Sequence, residues 1–212
     1  MVQGSGGGGG GRACRRALDS GAASRHDRRT STREATMSTT PLEILRTGLT
    51  SMHALLDQAI GDMTLDQLNF RPAEGGLSPF FSLWHYVRTE DNIVNYIAQG
   101  RPTVWLEGGY DERFGLHRTS QGTGMPEEEA KAMALNDLDG WREYQPRVWQ
   151  ATDDYLATMS PDEFDTRTVT IKPLGEMSLW QGLNGVCLSH GYRHVGEIEY
   201  ARGILGLGGL TI

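Results

Sequence analysis

No stretch of the 212-residue sequence approaches 18 consecutive apolar residues, which excludes a membrane-spanning helix. Cysteine is nearly absent. Cys14 and Cys187 alone cannot build a disulfide scaffold or a cysteine-rich zinc module. Positive charge is short as well: 20 Lys and Arg face 27 Asp and Glu, a net charge of −7, which argues against nucleic-acid binding through overall charge. The chain also lacks a Ser-His-Asp spacing, a phosphate-binding glycine loop, a coiled-coil heptad run and an internal repeat. What remains suits a soluble protein of one domain, with 38% hydrophobic residues and a mean hydropathy of −0.44.

These averages join two unlike segments. Residues 1–36 hold seven Arg and three acids, a net of +4, which leaves 13 basic and 24 acidic residues, a net of −11, for 37–212. Residues 6–11 are all glycine, and almost nothing in the first segment is large and apolar. Such composition cannot offset the entropy of ordering, so disorder is expected there. A signal peptide is excluded by the missing apolar core, and an amphipathic transit helix by the glycine run. Met37 followed by Ser-Thr-Thr-Pro reads as a true start, so residues 1–36, with Cys14 and His26, are expected to be an over-extended start or an added leader. The folded domain is expected over 37–212.

From residue 37 the spacing predicts four long amphipathic helices and therefore an all-α, four-helix-bundle fold with a long loop between helices 2 and 3. Thr40-Pro41 opens the first, with Leu42, Leu45, Leu49, Met52, Leu55 and Leu56 on one stripe and Gly61 as its stop. Ser78-Pro79 opens the second, which ends at Gly100-Arg-Pro102. Residues 103–125 read as a long irregular connection. Asn136 is the expected cap of the third helix, with Pro146 kinking it. Thr168-Val-Thr-Ile171 could be extended, but no alternating pattern supports a sheet. Ser178 with Gln181 forms a capping box for the fourth helix, carrying Leu183, Val186, His190 and Ile198 on or near one face.

The chemically informative segment is Ser189-His-Gly-Tyr-Arg-His-Val-Gly-Glu197. His190 and His194 are four apart, so both imidazoles project from one helical face and could share a metal ion. One helix cannot surround an ion, and His85 on the second helix is the natural third candidate. Three neutral imidazoles leave a coordination position open, as catalytic sites do. The alternative is that interior histidines are satisfied core residues. Glu197, one turn past His194, either orients that imidazole or is a solvated carboxylate. Cys187 is expected to be a buried packing residue, Glu90 and Asp91 to be exposed, and His53 and His117 to face solvent. The stretch 105–115 could cover the metal mouth and offer Tyr110 or Arg113 to a polar substrate or cofactor, or its aromatics could close the bundle end.

Asn69-Phe-Arg-Pro72, Ser82-Leu-Trp-His85 with Glu90-Asp91 after it, the pair His190/His194 followed by Gly196-Glu-Ile198, and the closing Arg202-Gly-Ile-Leu-Gly206 together resemble the DinB/YfiT-like superfamily of four-helix-bundle metalloenzymes. The resemblance covers about residues 41–206. It implies a divalent ion, zinc or nickel, held by His85, His190 and His194. It further implies a low-molecular-weight thiol as co-substrate, in a thiol-dependent S-transferase or isomerase acting on a small molecule. The resulting expectation is a cytoplasmic metal-binding protein, with no nucleic-acid or membrane partner and a homodimer as a candidate assembly. The alternative is a non-catalytic binding or stress-response bundle in which the metal is structural or absent.

Overall fold

A computed structural model describes residues 39–72 and 76–210 of the chain. The expectations for residues 1–36, including Cys14 and His26, lie outside the described residues. Helix α1 (Pro41–Gly61) starts where Thr40 takes the Glu43 amide at 3.2 Å while the Glu43 carboxylate takes the Thr40 amide at 2.7 Å. Of its apolar stripe, Leu42, Leu45, Leu49, Met52 and Leu56 are buried and Leu55 is partly buried. Each such side chain contributes roughly 1.5–3 kcal/mol on burial. A short helix α2 (Leu65–Leu68) follows, capped by Thr64 and Gln67.

Helix α3 (Pro79–Asp91) is capped by Ser78, whose hydroxyl accepts the Phe81 amide at 3.1 Å. It runs directly into a π-helical segment, Asn92–Ile97. The connection read as irregular contains two short helices, α4 (Val104–Glu107) and α5 (Tyr110–Phe114), and α6 (Glu127–Ala132) precedes the next long element. Helix α7 (Leu138–Thr158) continues through Pro146, and its cap is Asp137, whose carboxylate accepts the Gly140 amide at 2.8 Å. Asn136 is not the cap, because its side chain donates instead to the Phe114 carbonyl.

A second departure from the sequence expectation follows the short helix α8 (Pro161–Thr166). Strands β1 (Thr168–Ile171) and β2 (Gly175–Ser178) pair antiparallel as a hairpin, with Val169 and Ile171 turned inward. One four-residue strand is too short for period-two alternation to stand out. After α9 (Leu179–Gln181) comes a second π-helical segment, Gly182–Ser189, and then α10 (His190–Ile204).

The described part of the chain is thus mostly helical. Helix α10 lies against α3 and α1, and α7 lies against α3 and α1, so the four long elements neighbour one another around one core. Two motifs act as clamps. Asn69 exchanges two 2.8 Å hydrogen bonds with the backbone of Leu135, and Arg202 donates to Asp62 and to the Ala59 carbonyl. Among the described residues no helix is long and apolar enough to cross a membrane.

Candidate metal centre

His85 comes from the middle of α3, and His190 and His194 from the first turns of α10. Each offers one ring nitrogen, and the three nitrogens lie within 4.8 Å of one another. The ring centroids are 5.1 Å apart for His85–His190 and His85–His194, and 4.4 Å for His190–His194, with each pair nearly perpendicular. The structure therefore brings together all three histidines singled out from the sequence.

Two backbone devices produce this convergence. The π-helical segment before His190 widens the turn by one residue and so resets the direction of every side chain that follows. Gly191 then lets α10 approach closely, because a Cβ there would meet Met52 Sδ at 2.7 Å and Tyr86 Cζ at 2.8 Å. Opposite them, Gly122 has φ +94° and passes over Trp84 and His85, where a side chain would collide. That crossing places the Gln121 carbonyl on His85 Nδ1.

Hydrogen bonding decides the tautomers. A carbonyl can only accept, so His85 carries its proton on Nδ1 and keeps a lone pair on Nε2. His194 Nδ1 donates likewise to the Glu197 carboxylate at 2.7 Å, and Ser82 Oγ donates to the same oxygen at 2.8 Å. His194 Nε2 is therefore a lone-pair nitrogen, 2.9 Å from His190 Nε2. Burial holds the His85 pKa below its ordinary value, against the opposing effect of the Gln121 carbonyl. His190 is lowered to about 4, chiefly by burial and then by the neighbouring imidazoles and Arg193. The Val186 carbonyl one turn back partly offsets this without making a well-aligned bond to His190 Nδ1, which is left buried and unpaired. Glu197 is lowered to about 2, first by its bond to His194, so it remains an anionic acceptor at neutral pH.

A divalent ion fits these residues. Metal–nitrogen bonds of about 2.0–2.1 Å place tetrahedral nitrogens roughly 3.3 Å apart; here His190 and His194 are at 2.9 Å and all three nitrogens lie within 4.8 Å. Imidazoles whose distal N–H groups are donated to a carbonyl and a carboxylate, as in His85 and His194, have the outer hydrogen bonding usual for metal ligands.

His85 and His190 open into a cleft of about 400 Å³, bounded by Phe81, Ile93, Val186 and the hairpin turn at residues 172–174, with His194 behind them. Tyr110 and Arg113 do not line it. Tyr110 is buried among Trp105, Phe114 and Tyr144, and its hydroxyl donates to Glu143. Arg113 pairs with Asp137 and Glu143. The part of the long connection that reaches the histidines is 121–123, not 105–115. Cys187 is fully buried, as expected, and burial pushes its thiol well above its ordinary value.

Three expectations of exposure fail. Glu90 and Asp91 are 0% exposed and His53 is 4% exposed. His53 Nε2 lies 2.9 Å from Glu90, which also accepts from Thr152 at 2.6 Å and from the Tyr86 hydroxyl. Asp91 accepts from the Val104 and Trp105 amides, Asn95 and Tyr144, and so organises the start of α4. Stacking of His53 on Trp149, with centroids 3.8 Å apart, carried no sequence signal. His117 is exposed and lies 2.5 Å from Glu129.

A solved structure, described as a conserved protein from Enterococcus faecalis, is similar with a TM-score of 0.69 and 17% identity. That similarity covers 80% of this chain and 99% of that one, and at this identity it speaks for the fold. No curated protein matches the sequence. The family model described as DinB superfamily matches residues 49–198, the stretch that runs from the middle of α1 through all three histidines, and the chain belongs to that superfamily.

Proposed function

We propose that the four long helical segments form the four-helix bundle of a metal-dependent protein in which His85, His190 and His194 hold a divalent ion, zinc or nickel, and that the site runs a thiol-dependent transfer or isomerisation on a small molecule. The observation that carries this reading is the convergence of three ring nitrogens within 4.8 Å, two of them committed to lone pairs by their outer hydrogen bonds. When bound, such an ion supplies Lewis acidity and holds a ligand thiol as thiolate at neutral pH.

The chain's own groups have narrower tasks. Glu197, kept anionic and braced by Ser82, fixes the His194 ring and its tautomer. Gln121 does the same for His85 through its carbonyl. Phe81, Ile93 and Val186 exclude water from one side of the cleft. Among the described residues no carboxylate or thiol lines it, and burial pushes the Cys187 thiol well above its ordinary value. A nucleophile that arrives with a ligand, such as an external thiol, suits this lining better than covalent catalysis by a cysteine or carboxylate of the protein.

Elemental analysis after purification without chelator is expected to show near-stoichiometric metal in the wild type and its loss in His194→Ala. A metal-free wild type would sink the proposal. Turnover of a model electrophile with candidate low-molecular-weight thiols, present in the wild type and absent in His194→Ala, tests the reaction class. Full metal with no thiol-dependent turnover would leave a binding protein and overturn the enzymatic part.

A further inference from the structure

From residue 37 onward the chain carries −11, and most of its few cations are already neutralised. Of its 13 basic residues, eight sit in ion pairs: Arg88, Arg113, Arg118, Lys131, Arg142, Arg147, Arg167 and Arg202. Five make no ion pair among the described residues, and two of those, Lys172 and Arg193, stand at the histidine cleft. Among the described residues no Asp or Glu lines that cleft. Arg193 does feel Glu197 one turn on, but that carboxylate is already engaged by His194 and Ser82.

Both cations are held by ordered elements rather than by free tails. Arg193 sits in the first turn of α10 between two of the histidines. Lys172 leads the turn of the β-hairpin, which packs against the π-helical segment: a Cβ on Gly182 would stand 3.1 Å from Ile171 Cδ1. The walls between them are apolar, from Phe81 on α3 and Ile93 on the π-helical segment that follows it to Leu174 on the hairpin turn. A protein that repels anions at long range has thus left two unneutralised charges at the mouth of one apolar cleft.

We propose that this cleft selects small organic anions: an apolar body lies against Phe81, Ile93 and Leu174, and a carboxylate, sulfonate or phosphate-type group faces Lys172 and Arg193. The inference rests on the reading of the histidine cleft as the functional site, and it deepens that reading by naming the ligand's charge and amphipathic character. Lys172 and Arg193 are specificity determinants in it. Neither is needed to hold the histidines.

Two dyes of one skeleton test it, 1-anilinonaphthalene-8-sulfonate and the uncharged N-phenyl-1-naphthylamine, followed by fluorescence titration of the purified protein. The wild type is expected to bind the sulfonate about tenfold more tightly than the neutral dye, the scale that two partly exposed charge contacts supply. The double variant Lys172→Gln/Arg193→Gln should lose that preference and keep the neutral dye. Raising salt should shrink the preference in the wild type only. Gly185 lines the cleft, and a Cβ added there meets nothing within 4 Å, so Gly185→Leu has room to start its side chain and should obstruct the cleft and displace both dyes.

Equal affinity for the two dyes, failure to bind either, a preference that survives the double variant, or sulfonate binding retained by Gly185→Leu would each overturn the proposal. The dyes need no ion. A protein that retains no metal yet prefers the sulfonate would defeat the metal reading and leave this one standing. Metal-loaded protein without the preference would defeat this one alone.

Discussion

Two histidine clusters share helix α3 and reach opposite states. Around Glu90, the protein supplies the partners itself: His53 Nε2, the Tyr86 hydroxyl and the Thr152 hydroxyl all converge on one fully buried carboxylate, and Trp149 closes over the imidazole. Around His85, five residues earlier, Gln121 and Glu197 satisfy the outer nitrogens of His85 and His194, while His190 Nδ1 stays buried without a partner and His190 Nε2 meets His194 Nε2 at 2.9 Å. The first cluster is closed and contributes to holding α1, α3 and α7 together. The second is open toward a cleft. Buried charge needs partners, and what distinguishes a structural from a functional cluster here is whether the protein itself supplies all of them.

Removing the centre of the closed cluster should have the largest effect. Glu90→Ala leaves His53, Tyr86 and Thr152 unpaired in the core and is expected to cost about 3–5 kcal/mol in urea unfolding. His85→Ala in metal-free protein is expected to cost less than about 1.5 kcal/mol, since it uncovers one partly exposed carbonyl. Comparable losses for the two would erase the distinction between the clusters.

Gly191→Val tests the contact through which the clusters communicate. It overpacks against Met52 and the Tyr86 ring and should destabilise by about 1–3 kcal/mol while weakening metal retention. A variant as stable as the wild type would show that α10 need not approach so closely.

Glu197→Ala separates site from scaffold. Metal affinity should fall about 10- to 100-fold in a chelator competition, because the His194 ring loses its orienting acceptor. The melting temperature of the metal-free protein should barely move, since Glu197 is half exposed.

The smallest effect concerns pH. Burial lowers the His53 pKa, but attraction to Glu90 and their hydrogen bond outweigh it, so the group is raised above its ordinary 6.5. Burial raises Glu90, but His53, Thr152 and Tyr86 together bring it below its ordinary 4.5. A raised base stabilises fully below 6.5 and loses that contribution as pH rises through its folded value; a lowered acid stabilises above 4.5 and loses it as pH falls. The pair therefore contributes most between pH 4.5 and 6.5. Melting curves across pH should show a maximum there for the wild type relative to His53→Gln/Glu90→Gln. An unchanged difference across pH would mean that the pair does not titrate with folding.

Much of this protein was legible before any coordinates. Thr40, Ser78 and Ser178 cap helices at the expected positions, because capping depends on residues three apart in sequence. The His190/His194 pair is equally local. His53 was misread because it stands one position off the leucine stripe of α1, and only the arrival of Glu90 and Trp149 from two other helices makes that flank interior. Glu90 and Asp91 were misread for the same reason: charge pattern marks a solvated face until partners from elsewhere neutralise it.

By itself the sequence determined the long helical elements, most of their caps and the residue types able to bind an ion, because those follow from periodicity and from chemistry within a turn or two. Tertiary structure decided which carboxylates are buried, which glycines allow close approach, and which stretch of the long connection supplies Gln121 to His85. It also decided that Lys172 and Arg193, 21 positions apart, flank one cleft. Each of these depends on groups far apart in the chain meeting in space, where satisfaction of charge and hydrogen bonds is settled by the whole core rather than by any one segment.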